Sequence, residues 1–293
     1  IQRTTVQGSL LTLKVEGLLG GHSGQDIDKE RQNADLLMAR MIQRLLKETK
    51  GQLVSFNGGT KDNAIPRECE ASLIYESDEE AAKAEELACE LAETYAEELT
   101  PAEPDFSCEI SCETNRTAEA IPQDAAKEFI CAMRLAPNGI QKRNIKMDGF
   151  VVVSLNLGVV RTEEDRIVMI FSPRSSVASL QEDTKERLNT LAETFGFTVS
   201  HSSEYPGWSF KEDSPVREIC KESYKELFGE DLKIEAIHAG LECGLFSDAI
   251  KGLDAIAIGP TIANCHTPDE YLTLDSFERF YEFLKDILSR LAK

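Results

Sequence analysis

The sequence predicts a mixed α/β protein in two parts, residues 1–204 and residues 205–293. Stretches that alternate apolar and polar residues, as strands do, are interleaved with stretches whose apolar residues recur at helical spacing. In the first part the order of these elements is that of ferredoxin-like β-α-β-β-α-β units, an α+β arrangement. The Tyr-Pro-Gly-Trp segment at 205–208 interrupts this pattern and predicts the boundary between the two parts.

The first part is predicted to hold one complete β-α-β-β-α-β unit and a second stretch that nearly repeats its order. The strands of the complete unit are predicted at 5–17, 52–56, 68–75 and 106–112, and its helices at 26–47 and 77–99. The near repeat is predicted to contain helix 123–135, strands 149–161 and 166–173, helix 180–195 and strand 197–203. The two halves share no obvious sequence identity, so the repeat is one of pattern alone.

The second part shows the alternation of strand and helix that is typical of α/β domains. Ser214 followed by Pro215 predicts a helix start, since proline suits the first helical position. Strands are predicted at 232–237 and 253–258, and an amphipathic helix at 273–291. Each predicted strand is followed by a loop that carries a histidine. Ligands tend to bind at the carboxyl ends of such strands.

Composition narrows the classes of partner. The net charge of -20 argues against nucleic acid and anionic membranes, because both require a basic surface. No apolar run approaches the roughly 18 residues that span a bilayer.

The eight cysteines include no Cys-x-x-Cys pair, which argues against a zinc ribbon. Free thiols suit a reducing compartment, so we expect a cytoplasmic protein. Because the chain begins at Ile1 without Met, we expect it to be the later part of a longer protein.

Three of the four histidines lie in turns bounded by glycine or proline. His22 lies in Gly-Gly-His-Ser-Gly at 20–24, where it is a candidate for oxyanion stabilisation or proton transfer. The alternative is a tight strand-to-helix turn. His266 lies in His-Thr-Pro-Asp-Glu at 266–270, where it is a candidate metal ligand. The alternative is a turn that enters a helix. His238 is expected to play a supporting role.

Four further polar residues are candidates for substrate binding. Arg174 lies at a strand end, where its guanidinium can grip a carboxylate through two parallel hydrogen bonds; the alternative is a surface charge. Asn57 and Asn63 flank a Gly-Gly loop and can donate amide hydrogen bonds to a substrate or simply stabilise the turn. Glu242 lies at a predicted helix start, where it can bind a substrate ammonium, support a metal site or cap the helix.

These motifs together resemble those of the aminoacyl-histidine dipeptidases, or Xaa-His dipeptidases, within the M20 family of zinc peptidases. The resemblance covers essentially the whole chain. It is carried by Gly-Gly-His-Ser-Gly at 20–24, Asn-Ala-Ile-Pro-Arg-Glu at 63–68, His-Ala-Gly-Leu-Glu-Cys-Gly at 238–244, and Gly-Pro at 259–260 leading to His-Thr-Pro-Asp-Glu at 266–270. None of them is decisive alone, whereas their shared order and spacing are specific.

The resemblance implies a ferredoxin-like lid at 1–204 and the C-terminal segment of an α/β catalytic domain at 205–293. Members hold two zinc ions, for which His266 matches one ligand, while His22 matches a lid histidine that stabilises the transition state. Arg174 and the asparagine loop would hold a short peptide with a free carboxylate. A further candidate partner is a second copy of the chain, in a homodimer.

The chain departs from the family because the other zinc ligands and the general base are missing. We therefore expect a zinc-dependent dipeptidase as the parent protein, and this chain to be inactive alone. Two alternatives stay open at this point. One is an amidohydrolase or deacylase of the same wider family. The other is a non-catalytic module for oligomerisation.

Overall fold

The computed structural model describes residues 1–145, 149–202, 206–208, 210–235, 242–263 and 270–292. The chain divides into two compact units, one at Ile1–Ser202 and the other formed by the described residues from 206 onward. The predicted mixed α/β class is confirmed, since strands of a large sheet and seven α-helices lie in the described ranges. The predicted boundary after residue 204 lies outside those ranges. No helix in them has the length and apolar content to cross a bilayer.

The first unit consists of strands and helices that alternate along the chain, as predicted for its first half. In chain order they are β1 (Thr4–Glu16), β2 (Gly21–His22), α1 (Ala34–Glu48), β3 (Gln52–Gly58), β4 (Ala64–Ile65), β5 (Cys69–Tyr75), α2 (Asp78–Leu99), β6 (Ser107–Ala120), α3 (Gln123–Leu135), β7 (Gly139–Asn144), β8 (Phe150–Thr162), β9 (Ile167–Ser175) and α4 (Ala178–Thr194).

Seven of these strands form one antiparallel sheet. Its order is β6-β1-β5-β3-β8-β7, and β9 also pairs with β8. The strands β1, β3, β5 and β6 with helices α1 and α2 make the complete β-α-β-β-α-β unit, which confirms the predicted order. The helix predicted at 26–47 begins only at Ala34, and the strand predicted at 106–112 extends to Ala120. Strand β8 connects this unit to strand β9, because Val160 of β8 pairs with both Gly58 of β3 and Met169 of β9.

Helix α1 packs against the sheet through the apolar face that its sequence period predicts. Leu37, Met38, Met41 and Leu45 are buried there together with residues of β1 and β5. Burial of such side chains stabilises the fold by about 1.5–3 kcal/mol each. Asn33 fixes the start of the helix, because its Oδ1 accepts hydrogen bonds from the amides of the first turn while its Nδ2 donates to the Leu157 carbonyl of β8 at 2.8 Å.

The near repeat differs from its prediction at two places. Residues 197–202 form no strand; the Phe197 amide instead donates to the Ala192 carbonyl at 2.7 Å, so the segment continues from the end of α4. Strand β7 was not predicted, because Gly139–Asn144 lacks regular alternation. Its hydrogen bonds to β8 hold it in the sheet, which shows that pairing with a partner outweighs the local pattern.

The second unit is mostly helical. Its described elements are α5 (Pro215–Phe228), α6 (Glu242–Ala249), β10 (Ile262–Ala263), β11 (Tyr271–Leu272) and α7 (Leu274–Leu291). Helices α5 and α7 pack together, with the rings of Tyr224 and Phe283 5.3 Å apart and edge to face. The predicted strands are wrong at 232–235 and 253–258, where no strand forms. Neither stretch pairs with a strand among the described residues, and an extended segment needs a ladder partner.

A buried carboxyl group lies in the core of the first unit. Asp35, in the first turn of α1, is fully buried, and its carboxyl oxygens receive no hydrogen bond from an N–H or hydroxyl group of the described residues. The weakly donating thiol of Cys69 lies beside it and opposes the effect of burial on its pKa. A Cβ atom on Gly58 would lie 1.8 Å from its Oδ1, so only glycine leaves room for this side chain. Burial raises the pKa of Asp35 to about 7, because the charged form loses its hydration.

Asp35 makes the stability of the protein depend on pH. The folded protein holds this proton up to about pH 7, whereas the unfolded chain releases it near its ordinary pKa of 3.8. Since the folded state binds more protons at this site in this interval, the contribution of Asp35 to stability should fall by about 1.4 kcal/mol per pH unit as the pH rises from about 4 to 7. When stability is measured by urea denaturation, Asp35→Asn should not show this decrease between about pH 4 and 7. The variant should also be more stable than the wild-type protein at neutral pH.

The exposed Asp28 provides the matched control. Asp28→Asn should keep the pH dependence of the wild-type protein. If the stability of Asp35→Asn followed the wild-type curve in parallel across this range, the neutral state assigned to Asp35 would be wrong.

Candidate functional site

The Gly-Gly-His-Ser-Gly motif forms a turn between β1 and α1 that is tied to a second loop. Within it, β2 pairs with β4, with His22 opposite Ala64. The Ser23 amide extends the pairing by donating to the Asn63 carbonyl at 2.9 Å. Gly21 has φ +136°, and a Cβ atom there would lie 2.7 Å from Asp26 Oδ2. The turn therefore requires glycine at this position, as its sequence suggests.

The turn fixes the orientation of the His22 imidazole. Its Nδ1 accepts hydrogen bonds from the amides of Gly24 and Gln25, both at 3.1 Å. Because an atom that accepts these bonds carries no proton, the neutral ring carries its proton on Nε2. His22 therefore presents an N–H donor on the side of the ring away from the turn.

The acidic side chain of Asp26 stabilises the same turn through hydrogen bonds. Asp26 Oδ2 accepts the His22 amide at 2.8 Å, and its Oδ1 accepts a hydrogen bond from Lys29 at 2.6 Å. Burial opposes the charged form, but the hydrogen bonds from Lys29 and from the His22 backbone hold the pKa of Asp26 below its ordinary value. The carboxylate therefore remains ionised and braces the backbone of the turn.

The structure places Arg174 beside this turn, although 151 residues separate it from Ser23. Arg174 lies on β9 opposite Ser154 of β8. Its Nε and Nη2 approach Ser23 Oγ at 3.3 and 3.4 Å. Burial lowers the pKa of Arg174, an effect that Asp62 opposes, and the guanidinium stays charged because its ordinary pKa is so high. A half-buried cation thus lies next to His22.

The loop that carries Asn63 is anchored on β8. Asn156 is buried, and its Nδ2 donates to the carbonyls of Asp62 at 3.2 Å and Ala64 at 2.8 Å. The side chain of Asn63 is exposed, and among the described residues it has no hydrogen-bond partner. Asn63 is thereby held next to His22 with its amide turned to solvent.

Asn57 does not join this group. Its Oδ1 accepts the Thr162 amide at 3.0 Å, at the end of β8 opposite to the residue that pairs with Arg174. Thr162 lies eight positions along β8 from Ser154, which corresponds to about 25 Å along a strand. The structure therefore brings together His22, Asn63 and Arg174, and it leaves Asn57 in a contact that joins β3 to β8.

The other candidates belong to the C-terminal segment. Glu242 is the first residue of α6 and is exposed. His266, the candidate metal ligand, and His238 both lie outside the described residues. Among the residues that are described, no three His, Cys, Asp or Glu side chains come together to hold a metal ion.

Sequence reasoning missed three residues that shape this site. Ser23 belongs to the quoted motif, but its contact with Arg174 joins distant parts of the chain. Asn156 had a visible signal, since it is a polar residue within the apolar run of β8. Glu103 is a buried carboxylate that accepts the amides of Leu19 and Gln32. Nothing in its local sequence, which lies in the connection after α2, indicates such a role.

Comparison with known proteins assigns the chain to a family. The family model described as peptidase family M20/M25/M40 matches residues 38–290. The cytosol non-specific dipeptidase of Escherichia coli (strain K12) is 33% identical over 285 residues, which are 96% of this chain and 57% of that protein.

The crystal structure of aminoacylhistidine dipeptidase from Vibrio alginolyticus matches this structure with a TM-score of 0.85 at 31% identity. The match covers 98% of this chain and 62% of that one. This chain thus spans less than two thirds of the length of each of these two relatives. Since the family model covers most of the sequence and the fold agrees over nearly its full length, the chain belongs to the peptidase family M20/M25/M40.

Proposed function

We propose that this chain contributes the peptide-binding lid of a dipeptidase that hydrolyses Xaa-His and related dipeptides. The observation that carries the proposal is the juxtaposition of the Arg174 guanidinium with the turn of His22, through Ser23. A cation and a fixed N–H donor side by side are suited to a ligand with a carboxylate and a nearby carbonyl. Two relatives that bear the name dipeptidase support this reading.

His22 would act on the carbonyl of the scissile bond. Its Nδ1 is occupied by the amides of Gly24 and Gln25, so its Nε2–H is the group that can donate to an oxygen. A donor fixed before the reaction stabilises the charge that develops on this oxygen in the transition state. The two backbone amides hold the ring in place while the charge forms.

Arg174 would select the free carboxyl end of the peptide. Its hydrogen bonds to Ser23 are long, at 3.3 and 3.4 Å, and a carboxylate forms shorter and stronger bonds with a guanidinium. Asn63 would donate its exposed amide to a peptide carbonyl. Glu242 is proposed to bind the substrate ammonium. Asn57 is left out of this proposal, because its side chain bonds Thr162 at the other end of β8.

The complete site is proposed to hold two zinc ions, with His266 as one ligand. The described residues do not supply such a site, and one histidine does not meet the three or four ligands that zinc requires. We propose that the other ligands and the general base belong to sequence outside these 293 residues, and that this chain alone does not hydrolyse peptides. A cytoplasmic location and a homodimer are part of the same proposal.

The first experiment measures zinc content and Xaa-His hydrolysis for this chain and for a version extended upstream. Zinc binding and hydrolysis in the extended protein alone would support both the dipeptidase function and the fragment status. An extended protein that cleaves N-acyl amino acids in preference to dipeptides would favour the deacylase alternative. An extended protein without zinc or activity would favour the oligomerisation module and overturn the proposal.

Replacing His22 tests the proposed oxyanion contact. In the extended protein, His22→Gln should lower kcat by about 10²–10³, the usual cost of losing one such donor. KM should change little, because the contact strengthens mainly in the transition state. Steady-state kinetics on a Xaa-His dipeptide measure both constants.

His201 provides the control for this substitution. It is exposed and bonded to Asn189, so His201→Gln should leave the kinetics unchanged. A His22→Gln enzyme that retained full kcat would remove His22 from the mechanism.

Replacing Arg174 tests the recognition of the carboxyl end. In the extended protein, Arg174→Gln should raise KM for the dipeptide by about 10-fold or more, the effect expected on losing a charge-assisted pair. The variant should also lose the preference for a dipeptide over the corresponding dipeptide amide. The exposed Arg166, which pairs with Glu163 at 2.6 Å, gives the control Arg166→Gln. An unchanged preference in Arg174→Gln would contradict the assignment.

A further inference from the structure

One buried carboxylate joins the two ends of the segment that carries His22. Glu103 lies in the connection between α2 and β6 and is 1% exposed. Its Oε2 accepts the Leu19 amide at 2.7 Å, and its Oε1 accepts the Gln32 amide at 2.8 Å. Leu19 directly precedes the glycine turn, whereas Gln32 directly precedes the Asn33 cap of α1. The side chain thus closes the loop 19–32 at its base.

This closure of the loop by Glu103, called the clamp below, depends on the two oxygen atoms of a carboxylate. Each of its two oxygens accepts one N–H, so both ends of the loop are held at once and by charge-assisted bonds. An amide in the same place offers a single oxygen, and its NH2 group would face the other N–H. Glu103 forms no ion pair with the described residues, so the backbone amides are what compensate the burial of its charge.

The clamped ends are connected to the imidazole through a short series of contacts. Leu19 leads through two glycines to His22, and glycine transmits backbone rotation with little steric resistance. On the other side Gln32 adjoins Arg31, which donates a hydrogen bond to the Gly20 carbonyl. Release of the base would therefore remove one restraint on the loop, beside its pairing with β4 and the contact of Ser23 with Arg174, and His22 would shift with it.

We propose that Glu103 is a positioning residue that sets the orientation of His22 by clamping the base of its loop. The proposal rests on the role proposed above for His22 in peptide hydrolysis. Glu103 itself touches neither the imidazole nor Arg174 through a hydrogen bond. Its effect is exerted through the backbone, and it is not assigned a part in the chemical step.

The test compares Glu103→Gln with a variant that weakens the fold elsewhere. Thr49→Val removes buried hydrogen bonds to Leu45 and Tyr75, at the other end of α1 from the His22 loop. Kinetics are measured in the upstream-extended protein, at a temperature where both variants are fully folded by circular dichroism. We expect Glu103→Gln to lower kcat by about 10-fold or more, since misplacement of a catalytic group by about 1 Å can cost 10². KM should stay within about twofold, and Thr49→Val should retain the wild-type kcat.

A second measurement reports on the imidazole without relying on activity. In nitrogen-15 NMR spectra of the 293-residue chain, the ring nitrogens of His22 should show a single tautomer, with the proton on Nε2. Glu103→Gln should shift this pattern towards a mixture of tautomers, and Thr49→Val should not. An unchanged His22 signal in Glu103→Gln, or equal kinetic losses in both variants, would overturn the positioning role.

The two measurements also separate this proposal from the proposed function. If the extended wild-type protein cleaves no dipeptide, the function fails, while the NMR comparison still decides whether Glu103 orients His22. If hydrolysis is observed and the NMR pattern is insensitive to Glu103, the function stands and the clamp is wrong.

Discussion

The candidate site depends on the pairing of β8 with strands on both of its sides. This strand is buried over most of its length, and it joins β3 of the ferredoxin-like unit to β7 and β9. Three anchors converge on it: the Asn33 side chain on the Leu157 carbonyl, the Asn156 amide on the loop of Asn63, and the pairing of Ser154 with Arg174. Without β8, the turn of His22 and the guanidinium of Arg174 would have no common support.

Around that support, the turn of His22 pairs several of its polar groups within itself. The amides that follow the histidine bond its ring, and the amide of the histidine bonds Asp26. Such closure leaves few alternative conformations of comparable energy, because each would expose an unpaired buried group. The ring orientation is thereby built into the free protein, which is the condition for a donor that stabilises a transition state without rearrangement.

The local sequence predicted more of the fold than of the site. Helix α3 is found at the predicted residues, because apolar spacing reports directly on the buried face of a helix. Strand β7 and the segment at 197–202 were mispredicted, since pairing decides them: β7 pairs with the following strand β8, whereas 197–202 forms no strand. No spacing rule links Ser23 to Arg174 or Glu103 to Leu19, because these contacts join residues far apart in the sequence. The motifs around His22 and Asn63 lie in two loops that the structure brings together, whereas Asn57 bonds Thr162.

Two buried carboxyl groups illustrate how the same fold uses burial in opposite ways. Asp35 receives no hydrogen bond from an N–H or hydroxyl group of the described residues, and its pKa rises to about 7, so at lower pH it is a neutral part of the core. Glu103 is buried to a similar extent, yet each oxygen receives a backbone amide. Burial in low dielectric strengthens such bonds as much as it penalises an unpaired charge. A charge kept in the interior with this geometry restrains the chain around it, and the restrained segment here is the one that carries His22.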